Sequence, residues 1–354
     1  MFFKTTRFQI ILCILFSFAL TGCESLGYYS QALSGQMTII KKRRPIHRIL
    51  TDPQASTNLK DKLGLILEIR KFAENELYLP VEKHYLTFVE LERSFALWTV
   101  YAAPEFSLLP REWCYPIVGC TAYRGYFSKK DADDYAGRLQ NEGYDIYVAG
   151  VSAYSTLGWF DDPVLSTFIH QDDIELAAII FHELAHQRLY IEDDTTFNES
   201  FATAVEQDGL RRWLSQKSNK GAFSGYEMDY QRQEQFIQLI AKFRARLEKL
   251  YARDFPETEK RSAKAIEFSQ LREEYRRLKQ EWKGYSGYDG WFNDQLNNAK
   301  LITISTYNDL VPAFLKLLDA SGGDLDLFYN TCERLAGKSK EQRLADLQIY
   351  KGSD

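Results

Sequence analysis

The segment FHELAHQRLYIEDDTTFNESFATAVE, from Phe181 to Glu206, begins with the pattern His-Glu-x-x-His. Residues four apart on an α-helix lie about 40° apart around its axis, so His182 and His186 project from one face and can bind one zinc ion. Glu183, about 100° round the helix, is placed to accept a proton from water whose pKa zinc lowers. Because the chain has only 5 His, this spacing is informative and predicts a zinc-dependent hydrolytic site.

The residues around this pattern predict a buried helix. Asp172 is placed to cap it, with Glu175 three residues later in the capping-box position. The sequence IELAAIIFHELAHQRLY is apolar on both sides of the two histidines. The alternative, two histidines on a solvent-exposed helix face, fits this setting poorly, because buried imidazoles need polar partners. The setting therefore favours metal binding.

A catalytic zinc site normally uses a third protein ligand, and Glu199 and Glu206 are the two candidates. They are seven residues apart on the predicted helix TTFNESFATAVEQDGLRRWL, so they share a face but lie roughly 10 Å apart along the axis. One zinc ion cannot bind both. Glu206 has a spacing from His186 that occurs in many zinc peptidases, whereas Glu199 starts the helix and has an alternative role in a capping box with Thr196. Both candidates remain open from spacing alone.

The N-terminus has the features of a secretion signal. A basic start is followed by the apolar run QIILCILFSFAL, which is too short for a comfortable membrane span. The next residues, Leu20-Thr21-Gly22-Cys23, resemble a bacterial lipobox. We therefore expect residues 1–22 to be removed and Cys23 to carry a lipid anchor in the cell envelope, facing the periplasm. Glu24 stands where Asp would retain the protein in the inner membrane, which favours the outer membrane.

The other cysteines fit an oxidising compartment. Cys114 and Cys120 bracket the sequence WCYPIVGC, and we expect them to form a small-loop disulfide. Metal binding by this pair is a poorer interpretation, because the spacing is not Cys-x-x-Cys and no second pair exists. Cys332 is left over and is predicted to be a buried thiol.

The composition is that of a globular protein, with 45% hydrophobic and 26% charged residues in 354. The formal net charge of -5 gives no electrostatic basis for nucleic-acid binding. The segments HYLTFVEL and FALWTVYAA are rich in β-branched and aromatic residues and predict a hairpin. From about Asp172 the pattern is almost all helical, with two long amphipathic helices that meet at Pro256 as an antiparallel pair.

These patterns predict the domain organisation. Residues 23–56 form a segment next to the anchor, and residues 57–354 form a single catalytic domain. Within that domain we expect helix and sheet over 57–171, the zinc helices over 172–216, and a helical hairpin with C-terminal helices over 229–350.

Several blocks of the sequence resemble a known family. HELAH followed by NESFA is similar to the glutamate-zincin metallopeptidases. More closely, the blocks YYSQALSGQ, AAPEFSL, WCYPIVGCTAYRGYF, AYSTLGWFDDPVLSTF, HELAHQ and FNESFA resemble a family of bacterial lipoproteins described as predicted aminopeptidases. The resemblance implies an α+β, mostly helical fold, with a glutamate-zincin-like core, a small N-terminal sheet and a long C-terminal helical hairpin. It implies Zn²⁺ bound by His182, His186 and Glu199, with Glu183 as the general base. One departure is Thr203, which stands where many glutamate-zincins place an acid that orients a histidine.

The implied function is that of a zinc peptidase, most specifically an aminopeptidase, acting on a peptide substrate at the membrane to which its lipid tethers it. Two alternatives remain: a zinc endopeptidase, and a lipid-anchored binding or assembly protein with a structural or vestigial zinc site. The intact Glu183 argues against the second, because a structural site needs no base.

Other residues are candidates for the substrate side of the site. Glu206 and Thr203 could support a ligand, and Glu206 could instead hold a substrate amine. The oxyanion candidates are Tyr307 and Tyr190, from a wider set that includes Tyr154 and Tyr226. VAGVSAYSTLGWF is the expected substrate-binding strand, and the segment Tyr123-Arg124-Gly125-Tyr126 is a candidate for binding a substrate carboxylate.

Overall fold

The structure, a computed structural model, describes residues 26–115, 119–217, 220–293 and 295–351. The predicted signal peptide and Cys23 lie outside the described residues. The helices are α1 (26–42), α2 (Ile46–Thr51), α3 (Thr57–Glu76), α4 (Lys129–Asn141), α5 (Asp173–Arg188), α6 (Thr195–Gln216), α7 (Lys220–Tyr251), α8 (Glu257–Glu281), α9 (Asp289–Asn293), α10 (Asn298–Asn308), α11 (Val311–Ala320), α12 (Leu325–Ala336) and α13 (Lys340–Lys351). The strands are β1 (Arg44–Pro45), β2 (Thr87–Val89), β3 (Leu97–Pro104), β4 (Trp113–Tyr115), β5 (Gly119–Thr121), β6 (Arg124–Tyr126), β7 (Tyr144–Val151) and β8 (Val164–Leu165). The fold is therefore mostly helical with small sheets, as the α+β prediction states.

Helices α5 and α6 form the centre of the molecule. Asp172 caps α5 by accepting from the backbone N–H groups of Ile174 and Glu175, as predicted. Asp194 caps α6 by accepting from Phe197 N–H, so the alternative capping box of Thr196 with Glu199 is wrong. The two helices pack antiparallel, and the aromatic side chains between them and the C-terminal helices are fully buried: Phe181, Phe197, Phe201 and Phe314.

A three-stranded antiparallel sheet in the order β6-β3-β7 lies beside these helices. Side chains alternate across β3, because successive residues of a strand point to opposite faces. Val100 and Ala102 pack with α4 in one apolar cluster, while Tyr101 and Ala103 pack with α10 in another. The sheet is thus covered on one face by α4, and its other face points toward α10 and the cleft described below.

The predicted hairpin between HYLTFVEL and FALWTVYAA is wrong. Strand β2 pairs with β1 and β8 in a separate small sheet, whereas both edges of β3 are occupied by β6 and β7. The Glu92-Arg93-Ser94 segment does not form the turn, because Arg93 donates to the carbonyls of Ala96 and Phe127. Arg93 therefore connects the start of β3 to the end of β6.

The long antiparallel helical hairpin is confirmed, with α7 and α8 separated at Pro256, the N-cap of α8. It has its own hydrophobic cluster, in which Phe243, Leu247 and Leu271 are fully buried. Helix α7 starts at Lys220, earlier than the predicted 229. Cys332 is a buried free thiol, as predicted. Among the described helices, none combines the length and apolar character that crossing a bilayer requires.

Candidate active site

Three side chains meet where α5 and α6 face each other. His182 and His186 project from α5, and Glu199 projects from the first turns of α6. Their candidate ligand atoms all lie within 4.8 Å of one another. Glu199 Oε2 is 3.4 Å from His182 Nε2 and 3.5 Å from His186 Nε2. The structure therefore brings together the three residues that the sequence nominates as ligands.

This donor set fits a zinc ion. Ligands about 2.0–2.1 Å from a tetrahedral zinc ion stand roughly 3.3–3.4 Å apart, close to the separations from Glu199 to each imidazole. Nε2 of His186 is 3.5 Å from Oε2 of Glu199, whereas its buried Nδ1 has no hydrogen-bond partner among the described residues. A half-buried imidazole, a buried imidazole and a buried carboxylate that converge on one point are typical of a metal site.

Glu206 has a different position from Glu199. Its Oε2 lies 3.0 Å from Nδ1 of His182, the ring nitrogen that faces away from Glu199. A carboxylate in this position fixes the orientation and tautomer of a ligand histidine. Thr203, on the same helix, is buried, and the described part of the chain shows no hydrogen bond from it to His182 or His186.

The charges at this centre are strongly coupled. Burial alone would raise the pKa of Glu199, but the neighbouring His186 and His182 lower that pKa to about 2. For His182 burial acts in the opposite direction and would lower the pKa. Hydrogen bonds to Glu199 and Glu206 instead raise the pKa of His182 well above the usual value. Without a metal, the positive charge on the His182 imidazole stabilises the carboxylates of Glu199 and Glu206. A bound cation would provide the same stabilisation.

Glu183 is half-buried and lines the cleft next to the two histidines. Burial raises the pKa of its carboxyl to about 7, even though His182 and His186 act to lower it. A carboxylate with a pKa near neutrality can both take up and release a proton at physiological pH, which suits a general base.

The cleft above this centre has a volume of about 610 Å³. Its walls come from the sheet, from α1 and from the segment after β7. Most of the lining side chains are aromatic or aliphatic, and they include Tyr28, Tyr29, Leu97, Val151, Tyr154, Leu157, Trp159 and Phe160. Most of the expected substrate segment VAGVSAYSTLGWF thus lies along the cleft.

Three tyrosines surround the triad. Tyr307 stacks on the His182 ring with centroids 6.3 Å apart, and its hydroxyl hydrogen-bonds with Tyr101. Tyr190 lines the cleft, where burial and the charge of Glu199 raise its pKa to about 12. Tyr123 donates to Oε1 of Glu199 at 3.4 Å, a contact that the sequence did not suggest.

The segment that contains Tyr123 is split between the two faces of β6. Tyr123 and Gly125 line the cleft, whereas Arg124 and Tyr126 border a separate depression next to α4. The guanidinium of Arg124 lies over the Tyr28 ring at 4.1 Å and the Tyr135 ring at 4.6 Å. Arg124 therefore does not reach a substrate carboxylate in the cleft, and this expectation is wrong.

Asp162 was missed by the sequence analysis. It is 4% exposed, and it accepts from Thr156 Oγ1 at 2.6 Å and from Gln187 Nε2 at 3.1 Å. Because Gln187 follows His186 directly, Asp162 ties the cleft segment to the end of α5. Two features hinted at this role: an Asp pair before Pro163, and a polar residue immediately after the second histidine.

Comparisons with known proteins add a family to this geometry. The chain matches no curated protein and no solved structure. A family model described as "Putative aminopeptidase" matches residues 27–347, which is most of the chain. This range includes both helices that carry the triad, the sheet and the helical hairpin. The chain therefore belongs to the putative aminopeptidase family, a family of peptidases.

Proposed function

We propose that the chain is a zinc-dependent peptidase of the glutamate-zincin type, in which His182, His186 and Glu199 hold the ion. One observation carries this proposal: both imidazole Nε2 atoms lie 3.4–3.5 Å from the same oxygen of Glu199, next to a carboxylate placed as a base. The match to an aminopeptidase family gives the reaction class.

The residues of the cleft divide the chemistry between them. A bound zinc ion would supply Lewis acidity, which makes water more acidic and polarises the substrate carbonyl. Glu183 accepts the proton of the attacking water and returns it to the leaving amine. Glu206 holds His182 through Nδ1, so that Nε2 stays directed at the ligand position. The apolar walls limit access of bulk water to Glu183.

We propose aminopeptidase action on the strength of the family description, with endopeptidase action as the second candidate. An aminopeptidase holds the substrate's free amine with a carboxylate. Glu183 and Glu199 are the only carboxylates among the described residues that line the cleft. Glu206 is engaged behind His182, so it is a poor amine acceptor. This arrangement favours Glu183 as the residue that holds the substrate's amine. If Glu183 serves only as a base, the arrangement favours cleavage of internal peptide bonds.

A cleavage assay on a peptide library tests both points. The zinc-loaded chain is incubated with free and N-acetylated peptides, with and without a chelator, and the products are read by mass spectrometry. Cleavage that requires a free amine supports an aminopeptidase, and cleavage of acetylated peptides supports an endopeptidase. A binding protein with structural zinc would cleave neither.

The Glu183→Gln variant tests the assigned base. Hydrolysis should fall by about 10²–10⁴-fold, the usual contribution of general acid–base catalysis, while zinc remains bound at the wild-type ratio. Full activity in this variant would contradict the mechanism.

We also propose that the mature chain begins at Cys23, which carries a lipid and tethers the protein in the periplasm, in the outer membrane rather than the inner. Support comes from the Leu-Thr-Gly-Cys sequence and from Glu24 after it. The mass of the mature N-terminal peptide checks this: an unmodified Cys23 within an uncleaved chain would contradict it.

A further inference from the structure

Helix α1 has an unusual exposed face. Leu26 is 73% exposed, Tyr29 45%, Leu33 64% and Met37 40%. Their spacing of three or four residues places them in one stripe along the helix. The opposite side of α1 is packed: Ile39 is buried, and Gln36 accepts a hydrogen bond from Tyr154. Helix α1 is therefore packed beside the cleft through one side, and the stripe on its other side is exposed to solvent.

Two further exposed aromatic side chains line the cleft together with Tyr29 of this stripe. Trp159 is 63% exposed and Phe160 is 41% exposed, and both line the same cleft as Tyr29. Single exposed apolar residues are ordinary, but a continuous group of large ones marks an interaction surface. We call this group the apolar ridge: Leu26, Tyr29, Leu33, Met37, Trp159 and Phe160.

The charges beside the apolar ridge select a partner. Helix α1 contains no Asp or Glu. Lys41 lies four residues after Met37, at the end of the same stripe, and is exposed. Lys42 follows it, is also exposed, and lies 3.7 Å from the Glu92 carboxylate. A helix face with large apolar residues, small hydroxyl residues and terminal lysines is typical of segments that lie in the interface of an anionic bilayer. Tryptophan also prefers that interface.

The chain before α1 points to the same partner. Cys23, the proposed lipid attachment site, is three positions before Leu26. Three residues span at most about 10 Å even when fully extended. If Cys23 carries a lipid, the first residue of the apolar ridge is therefore at the bilayer surface whenever the anchor is inserted.

We propose that the apolar ridge docks on the surface of the phospholipid bilayer, so that the mouth of the cleft opens at the membrane. The docking itself does not depend on hydrolysis. Its consequence for substrates rests on the proposed function: the peptides cleaved would be apolar segments that emerge at the membrane surface. Docking also shields the aromatic rim of the cleft from water.

Quenching of tryptophan fluorescence tests the docking. The purified lipid-bearing chain is reconstituted in vesicles of phosphatidylethanolamine and phosphatidylglycerol, part of whose acyl chains carry bromine. Trp159 is one of six tryptophans. Wild-type emission should therefore fall by at most the fraction of the total emission that Trp159 contributes. Trp159→Phe should remove this loss, and Trp291→Phe, which lies in the helical-hairpin cluster, should retain it.

A charge-insertion pair provides the matched control. Leu33→Glu/Met37→Glu should abolish the quenching while cleavage of a short soluble peptide stays at the wild-type level, because neither residue lines the cleft. Ile266→Glu/Leu327→Glu makes the same change at exposed apolar residues of α8 and α12 and should leave the quenching intact.

Unquenched Trp159 in wild-type protein whose Cys23 lipid is verified by mass would overturn the proposal. A dimer in detergent-free solution that Leu33→Glu/Met37→Glu dissociates would assign the ridge to a second copy and also overturn it.

Discussion

At the scale of single residues, Glu199 and Glu206 have separate tasks although they occupy one face of α6. Glu199 offers Oε2 to both imidazoles, and Glu206 contacts only the far nitrogen of His182. Glu199→Ala should therefore lose most of its zinc, because only two protein ligands remain. Glu206→Ala should keep zinc at saturating concentration, with affinity or activity lower by about 10–100-fold.

Metal content of the two purified variants decides between these roles. Both variants are dialysed against the same free zinc concentration and compared by elemental analysis. Thr203→Ala is the control on the same helix and should keep zinc, since among the described residues its side chain makes no hydrogen bond to either histidine. A zinc-replete Glu199→Ala beside a zinc-free Glu206→Ala would reverse the assignment.

The tyrosines around the triad give a second prediction at this scale. Tyr190 and Tyr307 both line the cleft beside the triad, and the ring of Tyr307 stacks on that of His182. Because Tyr307 is placed to hold the His182 ring, we expect Tyr190 to be the oxyanion donor. Tyr190→Phe should lower kcat by about 10²–10³-fold, the usual cost of losing an oxyanion donor, with zinc content unchanged. A larger loss of kcat in Tyr307→Phe than in Tyr190→Phe would exchange the two roles.

At the scale of elements, the disulfide Cys114–Cys120 joins β4 to β5 at directly paired positions. Its neighbours Tyr115 and Thr121 line the cleft. Gly119 has φ +71° and lies against the chain between α5 and α6, where an added Cβ would be 2.8 Å from the backbone nitrogen of Asp193. The pair β4–β5 therefore connects the cleft wall to the loop that places Glu199.

Removing this disulfide should cost stability and some activity. In the chain-entropy estimate, a loop closed by cysteines six residues apart contributes about 2 kcal/mol to the free energy of unfolding. Cys114→Ser/Cys120→Ser should lose about that amount in urea unfolding and show a lower kcat, because one cleft wall loosens. Reductant should bring the wild type to the same values and leave the variant unaffected. Equal unfolding free energies without reductant would contradict the prediction.

The sequence predicted helices better than strands for a physical reason. Helix caps and apolar spacing are local, so the Asp172 cap and the junction at Pro256 could be identified directly. Strand pairing depends on distant segments, and β3 pairs with β6 and β7 rather than with the adjacent β2. The histidine pair could be identified because its spacing is local within α5, whereas spacing alone left Glu199 and Glu206 open and the resemblance favoured Glu199. Contacts such as Tyr123 with Glu199 were not, since they join elements 76 residues apart.

At the scale of the whole molecule, two hydrophobic clusters must be held in one arrangement. One cluster surrounds α5 and α6, and the other fills the α7–α8 hairpin. A polar junction joins the hairpin to the sheet: Lys264 of α8 donates to Asp145 at the start of β7 at 2.6 Å and to the carbonyl of Glu105 at 2.8 Å. Few of these partners are close in sequence, so the junction could not be predicted. The single domain over 57–354 stays a prediction.

Asn298 is the centre of this junction and gives the prediction at this scale. It is fully buried. Its side-chain amide lies within 3.1 Å of the carbonyls of Pro104, Glu105 and Ser107, and its Oδ1 accepts from Tyr251 of α7 at 2.8 Å. Each buried polar group left without a partner costs about 1–3 kcal/mol.

Asn298→Ala should therefore lower the free energy of unfolding by about 3 kcal/mol or more, since several of these groups lose their partner at once. It should also lower kcat while zinc stays bound, because Asn298 begins α10 and that helix carries Tyr307 to the His182 ring. Asn308→Ala is the matched control: among the described residues its amide donates only to the carbonyl of Ile304 in the same helix, so the loss should stay within about 1 kcal/mol. Urea unfolding, zinc content and peptide cleavage are measured on both variants. If Asn298→Ala is as stable as Asn308→Ala, the hairpin is held to the catalytic part by other contacts, and the path from the junction through α10 to the site does not operate.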